Sequence, residues 1–136
     1  MENPTFDASY ERIFGSSLGL SELDEGFFTR FYERFLAHEP IKKLFATTDM
    51  TRQVSMLKKS MFHLITFYIT ASPTSELERM AEIHHTIGLN IDLYDLWLQS
   101  LVETVAEFDG EYDLSVELAW KLALSPGITY MKLYGT

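Results

Sequence analysis

The sequence predicts an all-α protein of about seven helices. Apolar residues recur with the period of a helix along several long segments, as Phe27, Phe28, Phe31 and Phe35 do. No segment shows the sustained apolar–polar alternation of a strand, and no Asn-Gly hairpin turn interrupts the chain. Glycine, proline and aspartate stand between the periodic segments, where helices are expected to begin and end.

The first half of the chain divides into four helical segments. A short amphipathic segment is expected from Ser9 to about Gly15, and a longer helix from about Glu22 to Ala37. Pro40 can begin a helix but not continue one, so a corner and a short helical segment leading to Leu44 should follow. A long helix is then expected over Met50–Thr70, with one apolar face along its length.

The second half predicts three more helices. Pro73 begins a short helix, with acidic residues in its first turn, that ends near His84. A longer helix is expected over about Ile91–Phe108 and a last one over about Leu114–Lys132. Pro126 lies inside the last segment, so we expect either a kink or two helices end to end.

Composition limits the functions open to this chain. Its 136 residues suit a single domain, residues 1–136, and 46% of them are hydrophobic, enough for a substantial core. The formal net charge of -9, with no basic cluster, argues against binding to nucleic acid or to an anionic membrane surface. The absence of cysteine excludes disulfides, iron–sulfur clusters and thiolate zinc sites. We see no signal peptide and no apolar run long enough to span a bilayer, and we expect a cytoplasmic protein.

The stretch from Ala81 to Tyr94 places a histidine, His84, at the end of a predicted helix. Gly88 follows His84 by four residues, where the helix should stop, and Asn90 or Asp92 should cap the next helix. An imidazole in this position is a candidate ligand for iron or zinc. From these residues alone, a partly buried histidine that caps the helix without any metal is the preferred interpretation.

Four stretches, taken together, resemble a globin over about residues 22–134. The stretch Phe31–Pro40, with Leu44 and Phe45, looks like the second globin helix with its His-x-Pro corner and haem-stacking phenylalanine. The stretch Asp49–Leu57 looks like the distal helix of bacterial single-domain globins, and His84–Gly88 with Tyr94 looks like the segment of the iron-ligating histidine with a tyrosine ten residues later. The stretch Ala119–Lys132 looks like the last helix of globins related to haem sensor domains. The resemblance implies a globin fold, with helices packed around a pocket for haem b.

The resemblance implies that His84 is the axial ligand of the haem iron, through a neutral imidazole nitrogen. The other ring nitrogen should then donate a hydrogen bond, for which we expect a backbone carbonyl near Met80. His85 competes for the role. We prefer His84 because its spacing to Gly88 and Tyr94 fits the family, and because His85 is rotated by about 100° around the helix.

On the opposite side, Tyr32 and Gln53 match positions that donate hydrogen bonds to bound oxygen in bacterial globins. Such a bond to a partly charged acceptor contributes on the order of 1.5–3 kcal/mol. The resemblance implies that Leu57 forms an apolar ceiling and that Phe45 lies against the porphyrin edge. The remaining residues expected to line the slot are Met56, Met80, Ile83, Tyr94 and Leu98, and the candidates for pairing with the haem propionates are Arg52, Lys58 and Arg79.

Three functions remain open from the sequence. The leading one is a haem-binding globin that reversibly binds dioxygen, NO or CO and serves in storage, sensing or scavenging. The second is a haem enzyme, a nitric oxide dioxygenase or a peroxidase-like protein, which would need an external reductase because the chain is too short to carry a reductase domain. The third is a haem-free signalling module. A homodimer is compatible with each, because Tyr94, Trp97 and the aromatic last helix suit an interface as well as a core.

Overall fold

A computed structural model describes residues 2–15 and 25–136, and this part of the chain contains helices and connecting turns with no strand. The helices, in chain order, are α1 (Pro4–Phe14), α2 (Glu25–Phe35), α3 (Glu39–Leu44), α4 (Met50–Thr70), α5 (Ser75–Thr86), α6 (Asp92–Phe108) and α7 (Leu114–Leu133). The predicted all-α class with about seven helices is therefore confirmed. None of these helices is both long and apolar enough to cross a membrane.

The helix boundaries agree with the predictions except at α1 and at the ends of α2. Helix α1 begins at Pro4 rather than at Ser9, because the side chain of Asn3 accepts a hydrogen bond from the backbone N–H of Phe6 at 3.1 Å. Helix α2 ends at Phe35, two residues before the predicted end, and its predicted start lies outside the described residues. Helix α4 has the predicted bounds, with the Asp49 side chain as its N-cap.

Helix α7 is one continuous helix, so the expectation of two helices end to end is wrong. Pro126 lies inside it, and Gly127 follows directly. A Cβ atom on Gly127 would lie 2.6 Å from the side chain of Leu64 and 3.3 Å from its Cα atom. Because α7 packs this closely on α4, with Trp120 and Leu124 fully buried beside the contact, tertiary packing retains a helix that local propensity would have interrupted.

The core lies where α2, α4, α6 and α7 meet. Helix α2 contributes three fully buried phenylalanines, Phe27, Phe28 and Phe31. The predicted apolar face of α4 is largely confirmed, but Lys58, predicted to lie mostly away from it, is buried with its Nζ atom 5.9 Å from the ring centroid of Phe28. The pairing of Lys58 with a haem propionate stays a prediction.

A buried polar network fastens α1 to the turn between α6 and α7. The side chain of Asp109 is fully buried and accepts hydrogen bonds from Ser9 at 2.6 Å, from Arg12 at 2.6 and 2.8 Å, and from the backbone N–H of Glu111 at 2.9 Å. The indole of Trp120 in turn donates to the Ser9 hydroxyl at 2.8 Å. The hydrogen bonds from Arg12, above all, lower the pKa of Asp109 to about 2.

We expect the substitution Asp109→Asn to lower the free energy of unfolding by about 2 kcal/mol or more at neutral pH, because it removes the charge that Arg12 and Ser9 satisfy. A depressed carboxyl pKa stabilises the folded state above the unfolded value of 3.8, and this contribution is lost as the pH falls to about 2. Denaturant unfolding followed by circular dichroism between pH 7 and pH 2 measures both effects. The exposed Asp7→Asn serves as the control and should change the free energy by only a few tenths of a kcal/mol.

Candidate functional site

The end of α5 is a tight turn that fixes the backbone around His84. Gly88 adopts a positive φ of 68°, a conformation that glycine takes without strain. The N–H of Leu89 donates to the His84 carbonyl at 3.0 Å, and the N–H of Gly88 donates to the His85 carbonyl at 3.0 Å. These two bonds form a Schellman motif, which confirms the predicted stop at Gly88. Asn90 then accepts from the N–H of Asp92 at 2.9 Å, so Asn90 rather than Asp92 supports the start of α6.

His84 and Tyr94 are brought together across the junction of α5 and α6. The Nδ1 atom of His84 lies 3.0 Å from the Tyr94 hydroxyl oxygen, and the two ring centroids are 5.9 Å apart. The predicted partner of this nitrogen, a carbonyl near Met80, is therefore wrong. The carbonyls one turn back already accept α-helical hydrogen bonds along the axis, whereas the Tyr94 side chain reaches the ring from a neighbouring helix.

Burial sets the protonation of this pair. It lowers the pKa of His84, which favours the neutral imidazole, and raises the pKa of Tyr94 to about 12, which keeps its hydroxyl protonated at neutral pH. The Nε2 atom of His84 has no hydrogen-bond partner among residues 2–15 and 25–136. The site therefore contains an oriented, neutral imidazole with one nitrogen unused.

His85, the rival candidate, lies on a different side of α5. Its ring makes an edge contact with Tyr134 at 6.0 Å between centroids, and a Cβ atom on Gly135 would lie 2.6 Å from it. The side chain is exposed to solvent and packs against the end of the chain rather than against α6. The geometry thus separates the two histidines in the way that their rotation around the helix predicts.

Tyr32 also contacts Gln53, but its side chain reaches the backbone of Gln53 and not the amide side chain. The Tyr32 hydroxyl donates to the backbone carbonyl oxygen of Gln53 at 3.3 Å, which joins α2 to the first turn of α4. Burial raises the pKa of Tyr32 to about 12, so the phenol is a hydrogen-bond donor at neutral pH. The Gln53 side chain is half-buried beside it.

Comparison with known structures decides the family. The fold matches a crystal structure of a protein from Pseudomonas aeruginosa PAO1 that is described as structurally highly homologous to a human hemoglobin. The two chains are 32% identical, the match covers 97% of this chain and 96% of the other, and the TM-score is 0.81. The chain belongs to the globin family. No protein-family model and no curated protein sequence matches this globin.

Helices α4 and α5 of this globin also contact each other through their side chains. The Ser60 hydroxyl lies 3.2 Å from the sulfur of Met80, and the Thr74 hydroxyl lies 3.0 Å from Nδ1 of His63. His63 therefore supports the start of α5. Among the described residues, no hydrogen bond joins the His84 end of α5 to the first turns of α4.

The other predicted site residues differ in exposure. Leu57 is buried, Phe45 is half-buried with its ring 6.2 Å from that of Tyr32, and Met56 and Ile83 are exposed. Leu98 is half-buried and lines a groove between α6 and α7, so its part in a haem slot stays a prediction.

Two residues that the sequence reasoning left out lie close to His84 along the chain. Ile87 and Ile91 are exposed, like Ile83, and the three follow one another at intervals of four residues through the turn. Exposed apolar side chains near a half-buried imidazole are a feature of an incomplete surface that a further apolar group would cover. The regular interval of isoleucines was the signal in the sequence that pointed to it.

Proposed function

We propose that this globin binds haem b through His84 and reversibly binds dioxygen or another diatomic gas on the opposite face of the haem. The observation that carries the proposal is the half-buried, neutral imidazole of His84, held by Tyr94 with its Nε2 atom free. Membership of the globin family supports it. Residues 1–136 would act as a single haem domain.

The residues present fit a haem rather than a metal ion held by protein ligands alone. Among the described residues, no three His, Asp or Glu side chains come close enough to hold a metal ion. A single imidazole suits an iron whose in-plane ligands come from a porphyrin. Buried Leu57, half-buried Phe45 and the exposed isoleucines beside His84 offer apolar surface to such a ring. When bound, the haem iron supplies the coordination position that a diatomic gas occupies.

On the proximal side, Tyr94 sets which nitrogen of His84 is available. If Nε2 is the ligating atom, Nδ1 carries the proton and donates to the Tyr94 hydroxyl oxygen at 3.0 Å. This bond fixes the tautomer and the rotation of the ring, and it increases the basicity of the ligand. The Schellman motif holds the backbone of the same residue, so both ends of the His84 side chain are constrained.

On the distal side, Tyr32 is the stronger hydrogen-bond donor to a bound gas. Its hydroxyl stays protonated at neutral pH, and its present bond to the Gln53 carbonyl is long at 3.3 Å. A hydrogen bond from the Tyr32 hydroxyl to a partly charged oxygen of the bound gas would therefore be stronger than the bond to the Gln53 carbonyl that it replaces. The Gln53 amide is a second donor in the same region. The candidates for the propionates are Arg52 and Arg79, which are both exposed, and the buried Lys58.

We expect the substitution Tyr94→Phe to leave haem binding intact but to increase the rate of haem loss by about tenfold, because a group that orients a metal ligand typically contributes 10–100-fold to affinity. The iron–histidine stretching frequency of the ferrous protein should fall, since the imidazole loses its hydrogen-bond acceptor. Transfer of haem to an excess of apomyoglobin measures the first effect, and resonance Raman spectroscopy measures the second. Tyr134→Phe, beside His85, is the matched control and should change neither.

Absorption spectra of the ferrous protein test gas binding directly. The deoxygenated form should change to a distinct oxygenated spectrum on exposure to air and return when oxygen is removed. Carbon monoxide should produce a third spectrum. A haem-loaded protein whose ferrous spectrum responds to neither gas would contradict reversible gas binding.

A further inference from the structure

A hydrogen bond between Ser60 and Met80 closes the inner end of a cleft between α4 and α5. The Ser60 hydroxyl of α4 lies 3.2 Å from the sulfur of Met80 on α5. Beyond this contact, towards the end of α5, no hydrogen bond joins the two helices among residues 2–15 and 25–136. We call the space between residues 53–60 of α4 and residues 80–84 of α5 the α4–α5 cleft.

The two sides of the α4–α5 cleft carry residues of the proposed haem site. Residues four or seven apart share a face of a helix, so Met80 lies on the face of His84, and Ser60 lies on the face of Gln53. At the open end of the cleft, Met56 is 45% exposed. The contact between Ser60 and Met80 therefore determines how closely the two faces approach each other.

The Met80 sulfur is held weakly and can be reached from solvent. A serine hydroxyl has one proton, and that of Ser60 is shared between the Met80 sulfur and the Met56 carbonyl oxygen at 2.8 Å. A thioether sulfur is only a weak acceptor. Met80 is half-buried, whereas Met61 and Met131 lie in the core. A small oxidant can therefore reach Met80 but not these two core methionines.

We propose that Met80 is a modification site, which hydrogen peroxide oxidises to methionine sulfoxide, and that this oxidation opens the α4–α5 cleft. The sulfur lone pair attacks one peroxide oxygen, so that an S–O bond forms and the O–O bond breaks. Sulfur loses two electrons, and the departing hydroxide takes the proton of the transferred oxygen and leaves as water. Methionine sulfoxide reductases reverse this modification.

The contact leaves no room for the added oxygen. An S–O bond followed by a hydrogen bond of about 2.7 Å from the Ser60 hydroxyl needs more than the 3.2 Å now available. If the oxygen pointed away from Ser60 instead, a polar group without a partner would enter the apolar core against which Met80 packs. Either arrangement favours movement of α5 away from α4. A faster loss of haem from the opened cleft is a further consequence, which rests on the proposed function.

Amide hydrogen exchange in the full chain without haem tests the opening of the cleft. The protein is treated with hydrogen peroxide, and mass mapping of its peptides identifies the oxidised methionines. We expect Met80 to gain one oxygen atom and the amides of α5 to exchange about tenfold faster or more. Exchange in α7 should be unchanged, and treatment with methionine sulfoxide reductase should restore the slow exchange in α5.

Three variants separate Met80 from the other methionines. Met80→Leu nearly conserves the volume and cannot be oxidised, so peroxide should no longer accelerate exchange in α5. Met56→Leu removes the more exposed methionine of the same cleft and should respond like the native protein. Met80→Gln introduces a permanent polar group and should exchange faster without peroxide. With haem bound, Met80→Gln should also transfer haem to apomyoglobin faster than Met80→Leu does.

The proposal is overturned if Met80 stays unmodified while Met56 becomes oxidised. It is also overturned if oxidised Met80 leaves exchange in α5 unchanged, or if peroxide accelerates that exchange equally in Met80→Leu. Faster exchange on oxidation of Met80 in a chain that binds no haem would support the opening of the cleft and would contradict only the proposed function.

Discussion

The substitution His84→Ala should abolish stable haem binding. It removes the atom proposed to bind iron, and the effect of losing a ligand should exceed the 10–100-fold typical of the groups that only orient one. We therefore expect haem affinity to fall more than about a hundredfold, with the helical content unchanged. Haem titration followed by absorption spectroscopy measures the affinity, and circular dichroism measures the fold.

His85→Ala is the matched control, because it removes an identical side chain from the next position of the same helix. His85 packs on Tyr134 and Gly135 and not on α6, so its loss should leave the haem spectrum normal. His84→Gly adds a second control, since free imidazole in solution should occupy the vacated space and restore haem binding. If His85→Ala lost haem while His84→Ala kept it, the ligand would be the other histidine.

The substitution Tyr32→Phe should increase the rate of oxygen dissociation by about tenfold or more. It removes a donor whose bond to a partly charged oxygen is worth on the order of 1.5–3 kcal/mol, and about 1.4 kcal/mol corresponds to a factor of ten. Carbon monoxide dissociation should change much less, because bound carbon monoxide is a poorer acceptor. Stopped-flow displacement of each gas from the ferrous protein measures both rates.

Gln53→Leu should accelerate oxygen dissociation less than Tyr32→Phe does, because its side chain is only half-buried. The control for both is Tyr68→Phe, a buried tyrosine on α4 that lies fifteen residues, or about 22 Å, beyond Gln53 along the helix. Unchanged oxygen dissociation in both Tyr32→Phe and Gln53→Leu would show that neither side chain donates to the bound gas.

The fold was largely predictable because the strongest local signals agree with the tertiary structure. Asp49 caps α4 and Gly88 ends α5 with the hydrogen bonds that these residue types favour in isolation. The exceptions are places where a contact between residues far apart in the sequence outweighs the local signal. Helix α7 continues through Pro126 because Gly127 packs on Leu64, and no local rule contains that contact.

The candidate site was less predictable, because its hydrogen bonds join residues that are far apart in sequence or in different helices. The spacing of His84 and Tyr94 marked both residues, but only the three-dimensional structure shows that one contacts the other. Tyr32 similarly donates to the backbone of Gln53 and not to its side chain. A carbonyl acceptor leaves no trace in the sequence, since every residue carries one.

The most direct test of the central claim is titration of the haem-free protein with ferric haem, followed by absorption spectroscopy. We predict a sharp Soret band that saturates at one haem per chain and a ferrous spectrum typical of histidine ligation. A spectrum identical to that of free haem at every ratio would show that the His84 imidazole binds no haem, and it would contradict the proposed function.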